Sequence, residues 1–162
     1  MFVLDMSKYT KPKFEEKDLG PNPFLNSLIV PVNKVESADR FKQDGSEWYK
    51  SGYDYDAAEY CKVFSNAKNR QMMVTLSPRA KDLFLWIIYE AEKSKDHLWL
   101  NKDRYMDESG VKALNTYRMA LKELIVRGLI VKTVVSGVIF LNPHFFYNGN
   151  RIKSFPDNVK VR

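Results

Sequence analysis

The sequence predicts an α+β chain whose second half consists of three helices closed by a β-hairpin. Three observations carry that expectation. Leu83, Phe84, Ile87, Ile88 and Ala91 recur at helical spacing, one apolar stripe along a helix opened by Ser77-Pro78. Leu114, Tyr117, Leu121 and Leu124 repeat the pattern over residues 111–127, and Gly128 follows in the position that favours a left-handed helix end. The β-rich segments 129–135 and 138–141 then flank Ser136-Gly137, a two-residue hairpin turn.

The remaining segments are placed around these. Residues 1–45 contain Pro12, Pro21, Pro23 and Pro31 and no sustained period, so they read as an irregular arm with little core of its own. Residues 46–59 interleave Trp48, Tyr49, Tyr53 and Tyr55 with Glu47, Asp54, Asp56 and Glu59, an acidic-aromatic connector suited to packing or protein docking. Segments 60–64 and 71–76 flank the polar run 65–69 and suggest a first β-hairpin. His97-Leu98-Trp99-Leu100 fits one short strand, Asn101 caps a short helix through Glu108, and Ser109-Gly110 makes a turn. Helix, short strand, short helix, turn, long helix and hairpin follow the order of a winged helix-turn-helix domain over residues 60–153. A β-hairpin and the arm precede it, and residues 154–162 form a tail.

Composition limits the possible roles. The chain has 162 residues, 44% of them apolar and 28% charged, which excludes wholesale disorder. No apolar run approaches the roughly 20 residues needed to cross a bilayer, and the single cysteine, Cys61, cannot form an internal disulfide. Both point to the cytoplasm as the expected location. The net charge of +6 is lopsided: residues 1–71 balance 11 Lys+Arg with 11 Asp+Glu, whereas residues 72–162 carry 15 against 9. A basic half favours a polyanionic partner.

The long helix offers a face for that partner. Opposite its apolar stripe lie Lys112, Asn115, Met119 and Lys122, flanked by Thr116 and Arg118. Asn pairs bidentately with adenine, Thr bonds bases or touches a thymine methyl, and the lysines suit phosphates. The hairpin tip 134–138 has no Lys or Arg, so Arg151 and Lys153 beyond it are the expected backbone contacts. Asp107, Glu108 and Glu123 border the face and would repel phosphate unless turned away.

Several segments also resemble a known family. Lys62-Val63-Phe64 with Val74-Thr75-Leu76-Ser77-Pro78-Arg79-Ala80-Lys81 is similar to the opening of the RepL-type plasmid and phage replication initiators. Leu121-Lys122-Glu123-Leu124-Ile125 with Gly128-Leu129-Ile130 resembles the end of their recognition helix. Most specific is Phe140-Leu141-Asn142-Pro143-His144-Phe145-Phe146-Tyr147-Asn148-Gly149-Asn150-Arg151, which resembles their closing motif, with Asn150 where an acidic residue is usual. The resemblance covers residues 60–153. It implies a protein that binds duplex origin DNA without hydrolysing nucleotide and recruits replication machinery, with Asn115, Thr116 and Arg118 in the recognition helix. Asn148 and Gly149 in the closing motif are expected to form a structural turn.

Catalytic patterns are not found. His97 and His144 are the only histidines and form no His-x-His pair for a nicking metal, and no Gly-rich phosphate loop is present. One cysteine and two histidines cannot build a structural zinc site. The chain is expected to be a non-enzyme without cofactors. Two other roles fit the same scaffold: a transcription regulator, and a docking protein, for instance in a phage particle, that contacts a protein partner through residues 1–60. Homo-oligomers are compatible with either, since winged-helix proteins often bind paired half-sites.

Overall fold

A computed structural model describes residues 9–36, 52–56 and 66–161. Residues 60–65, with Cys61 and the expected first strand of the first hairpin, and Trp48 and Tyr49 of the connector lie outside the described residues. The order is β1 (Val30–Glu36), β2 (Gly52–Asp56), α1 (Ala67–Thr75), α2 (Pro78–Glu90), β3 (His97–Trp99), α3 (Lys102–Ser109), α4 (Leu114–Val126), β4 (Ile130–Lys132), β5 (Val138–Leu141), α5 (Arg151–Ser154) and β6 (Val159–Val161). The α+β class is as expected: packed helices beside a small antiparallel sheet of order β3-β5-β4. Its register pairs His97 with Phe140 and Val131 with Phe140 on the other side.

The helices begin where the sequence supplies caps. Ser77 accepts from the Ala80 N–H with Pro78 at the first helical position, and Asn101 accepts from the Arg104 N–H. Each such cap contributes about 1 kcal/mol. Gly110 and Gly128 both take positive φ, 69° and 72°, which ends α3 and the segment after α4 without a Cβ penalty. The main core joins Leu83, Phe84 and Ile87 of α2, Tyr105 of α3, Tyr117, Ala120 and Leu124 of α4, and Ile130, Ile139 and Leu141 of the sheet. Leu114 and Leu121 pack at its margin.

Four expectations need correction. The first hairpin is not formed by residues 71–76: residues 71–75 belong to α1, and Leu76 is its C-cap. Asn66 caps that helix by accepting from the Asn69 N–H at 2.9 Å, Met72 and Met73 pack onto the core, and Asn69 Nδ2 donates to the His144 carbonyl at 3.0 Å. Tertiary packing on one side thus outweighs the β-rich composition. The second hairpin has a five-residue loop, 133–137, in place of a two-residue turn. Thr133 Oγ1 accepts from the Val135 N–H at 3.1 Å, which closes the loop on itself.

The arm, too, is only partly irregular. Two 3-10 turns, Glu16–Leu19 and Pro23–Ser27, lead into β1, which pairs antiparallel with β2 and parallel with β6. The 154–162 tail and the 46–59 connector therefore each supply a strand to a second sheet. The arm's apolar side chains fold onto the chain itself: Leu19 packs with Val138 and Phe140, while Leu28 and Val30 pack with Tyr147 and Phe155. Buried Asn22 fastens the arm by donating from Nδ2 to Asp96 Oδ2 at 2.9 Å and to the Leu141 carbonyl at 3.1 Å.

Finally, the long helix starts at Leu114, not at residue 111. Val111 is buried, Lys112 precedes the helix, and Ala113 at the N-cap offers no side-chain acceptor. Among the described residues, no helix is long and apolar enough to cross a membrane.

Candidate nucleic-acid interface

Helix α4 is amphipathic in space as it is in sequence. Its inner side packs against α2, and Tyr117, Ala120 and Leu124 are buried there. On the outer side Asn115, Arg118, Met119 and Lys122 are exposed and Thr116 is half-buried. A groove of about 640 Å³ runs along that side, lined by Ser77, Arg79, Asn115, Thr116, Met119 and Lys122 among others. Met119 is 64% exposed and Val126, further along, 75%. The groove therefore mixes amide, hydroxyl and cationic groups, and the carboxylate of Glu123, with apolar side chains.

The acidic neighbours are turned to other work. Glu123 accepts from the Ser77 N–H at 2.8 Å and from the Ser77 hydroxyl at 2.6 Å. These bonds, with Arg127 and Lys81 nearby, hold its carboxyl below the usual carboxylate range. Its charge sits at the N-terminus of α2, where the helix dipole favours an anion. Glu108 accepts from Trp86 Nε1 at 2.5 Å and from Arg104 Nε at 2.7 Å, and Arg104 also forks onto Glu90 at 2.6 and 2.8 Å. Asp107 accepts from the Tyr9 hydroxyl at 2.5 Å. All three carboxylates named as possible obstacles are thus engaged by the chain's own donors.

The expected contact residues are only partly gathered. Asn115, Thr116, Met119 and Lys122 line one groove, and Arg118 stands exposed on the same helix. Lys112 is exposed just before α4. Arg151 is a correction: it is 3% exposed, and its guanidinium donates to the Pro143 carbonyl at 3.0 Å. An arginine sunk in this way holds the backbone and does not meet a phosphate. Lys153 is exposed, but on α5, which packs with β1 and β2 and away from the groove. Arg79 was missed, because its proximity to α4 depends on how α2 crosses that helix. Ser77-Pro78-Arg79 showed only as a helix start.

The closing motif is a fastening, as expected. Asn148 Nδ2 donates to the Ala91 carbonyl at 3.0 Å, and the Asn148 carbonyl accepts from the Ser94 N–H at 2.6 Å. A Cβ on Gly149 would stand 3.0 Å from Ser94 Oγ, 3.1 Å from the Tyr147 ring and 3.2 Å from Ser94 Cα, so a side chain there would press on both neighbours. Ser94 itself carries a positive φ of 61°, a left-handed conformation held by this contact. Asn150 caps α5, accepting from Ile152 and Lys153 N–H groups, a task an acidic residue could share. Asn142 accepts from the His144 N–H and donates from Nδ2 to the Gly128 carbonyl at 2.6 Å, joining hairpin and helix end.

Comparison with known proteins adds little to this geometry. No family model matches the chain. No solved structure matches it significantly. Among curated proteins it is similar to a 20.9 kDa protein of Zymomonas mobilis subsp. mobilis, with 26% identity over 151 residues, covering 81% of this chain and 82% of the relative.

Proposed function

We propose that residues 78–141 form a winged helix-turn-helix unit and that the chain binds duplex DNA through the outer face of α4. In that reading α3 and α4 are the paired helices, Gly110 lies in the turn between them, and the β4–β5 hairpin is the wing. The observation that carries it is the joint exposure of Asn115, Arg118 and Lys122 on a helix whose other side is locked in the core. Asn115 and Thr116 would meet base edges, while Lys112, Lys122, Arg118 and Arg79 would meet phosphates. The chain acts without catalysis, as an origin-binding protein of the replication-initiator kind that its sequence resembles; an operator-binding role uses the same contacts.

The test is binding of the full chain to duplex DNA across a salt series. Affinity falls steeply with salt, with a slope set by the number of phosphates engaged. Lys122→Ala and Arg79→Ala each weaken binding to every sequence and lower the slope by about one. Asn115→Ala relaxes preference at one base pair, at about 1–3 kcal/mol. Binding that ignores salt, or no duplex binding, would refute the reading. The exposure of Met119 and Val126 supports the second reading in that event, a protein helix docked along the same groove.

A further inference from the structure

Met119 is the one large apolar side chain at the middle of the outer face of α4, and it is 64% exposed. A single exposed methionine is ordinary on a protein surface. This one is set apart by its neighbours. Asn115 stands four residues before it and Thr116 three, so all three share one helical stripe. The same residues line a common groove with the cations Arg79 and Lys122. The carboxylate that lines it, Glu123, is held by the N–H and hydroxyl of Ser77. An apolar contact point is thus framed by groups suited to bases and phosphates.

The base edges of the major groove present one apolar group in unmodified DNA, the C5-methyl of thymine. A methionine suits it: the chain is unbranched, adapts its shape and has a polarizable sulfur. The spacing also fits. Asn115 and Met119 are about 6 Å apart along the helix axis, at 1.5 Å per residue, and stacked bases are about 3.4 Å apart. A methyl under Met119 therefore belongs to a base pair within about two steps of the adenine that Asn115 meets.

From this arrangement we infer that Met119 determines specificity by packing on a thymine C5-methyl, so that the preferred duplex carries thymine within about two base pairs of an adenine. The inference rests on the DNA reading above and narrows it to a class of sequence. Met119 contributes to the choice of base and not to the hold on phosphate, which falls to Lys122 and Arg79. 5-Methylcytosine offers the same methyl only after modification of the duplex; thymine is therefore the assigned source, and the modified base is an arm of the test.

The experiment measures binding of the full chain to four duplexes of equal length: alternating dA-dT, alternating dA-dU, alternating dG-dC, and the last with every cytosine methylated at C5. Thymine and uracil differ by the methyl alone, so the dA-dU duplex is expected to bind about fourfold more weakly, the effect of one buried methyl. Met119→Ala, at an exposed position and safe for folding, binds these two duplexes alike. It keeps the parent's salt slope, because no phosphate contact is lost. Met119→Leu retains the preference for thymine, and so does Thr116→Ser, which separates the methionine from the threonine methyl. Salt-dependent binding with equal affinity for dA-dT and dA-dU overturns the inference and leaves the DNA reading standing. A thymine preference that survives in Met119→Ala overturns it as well, since the methyl is then read elsewhere. A methyl effect confined to the dG-dC pair would assign the contact to 5-methylcytosine, against the inference. Absence of binding to all four duplexes at low salt removes both the inference and the reading beneath it.

Discussion

The helical core and the small sheet of chain ends are built on opposite principles. The core gathers Leu83, Ile87, Leu124, Ile139 and their neighbours from one continuous stretch, with helices joined by short turns. The β2-β1-β6 sheet instead joins residues near both ends of the chain: Val30 pairs with Val159, and Leu28 and Val30 pack with Tyr147 and Phe155. Closing so long a loop costs entropy that few buried side chains must offset. Local contacts can therefore stabilise the core first, and the end sheet depends on it. Among the residues that connect the two, Arg151 and Asn22 stand out, each buried and each bonded to backbone of the other region.

The largest test of this contrast is a matched truncation. Leu124→Ala, at a fully buried position in α4, should cost about 3–5 kcal/mol and lower the urea midpoint for the whole chain. Leu28→Ala should cost about 2 kcal/mol and release the amides of β1 and β6 to hydrogen exchange while those of α4 stay protected. Equal loss of protection in both regions would show a single cooperative unit.

A smaller effect probes the joint. Arg151→Ala should cost about 2–3 kcal/mol, because it strips the Pro143 carbonyl of a buried charged donor. Lys153→Ala, exposed on the same short helix, should stay within about 0.5 kcal/mol. If the two variants denature alike, Arg151 is not a fastening.

The smallest effect is one of pH. Burial, then the nearby Arg151 and Lys68, hold the His144 pKa below its ordinary value, and its buried Nε2 has no hydrogen-bond partner among the described residues. The folded state thus refuses a proton that the unfolded chain accepts from about pH 6.5 downwards. Stability is complete above that range and declines as the pH falls towards the folded-state pKa. His144→Gln should flatten the difference between denaturation curves at pH 7.5 and 5.5; an unchanged slope would place the titration elsewhere.

How far the sequence foretold these features follows from the range of the interactions involved. The α2 and α4 stripes, the Ser77 and Asn101 caps and the Gly128 stop were legible, because each is decided within a few residues. The hairpin was legible in its strands but not in its loop, whose closure by Thr133 needs a side chain to meet a backbone group two residues on. The misassigned 71–76 segment shows the limit of composition: Met72-Met73-Val74 suits either state, and packing of Met72 and Met73 on the core decided for helix. For the candidate interface, Asn115, Met119 and Lys122 followed from helical geometry alone, whereas the burial of Arg151 and the approach of Arg79 did not.

By itself, then, the amino-acid order determined an α+β chain with a helix that is apolar on one side and polar and basic on the other. Periodicity along a helix is a local property, read without knowing what the helix touches. Only the tertiary structure decided that Glu123 turns onto Ser77 and that the arm and tail form one sheet. Those outcomes depend on which distant groups arrive within hydrogen-bonding reach, and a chain's spacing does not encode that distance residue by residue.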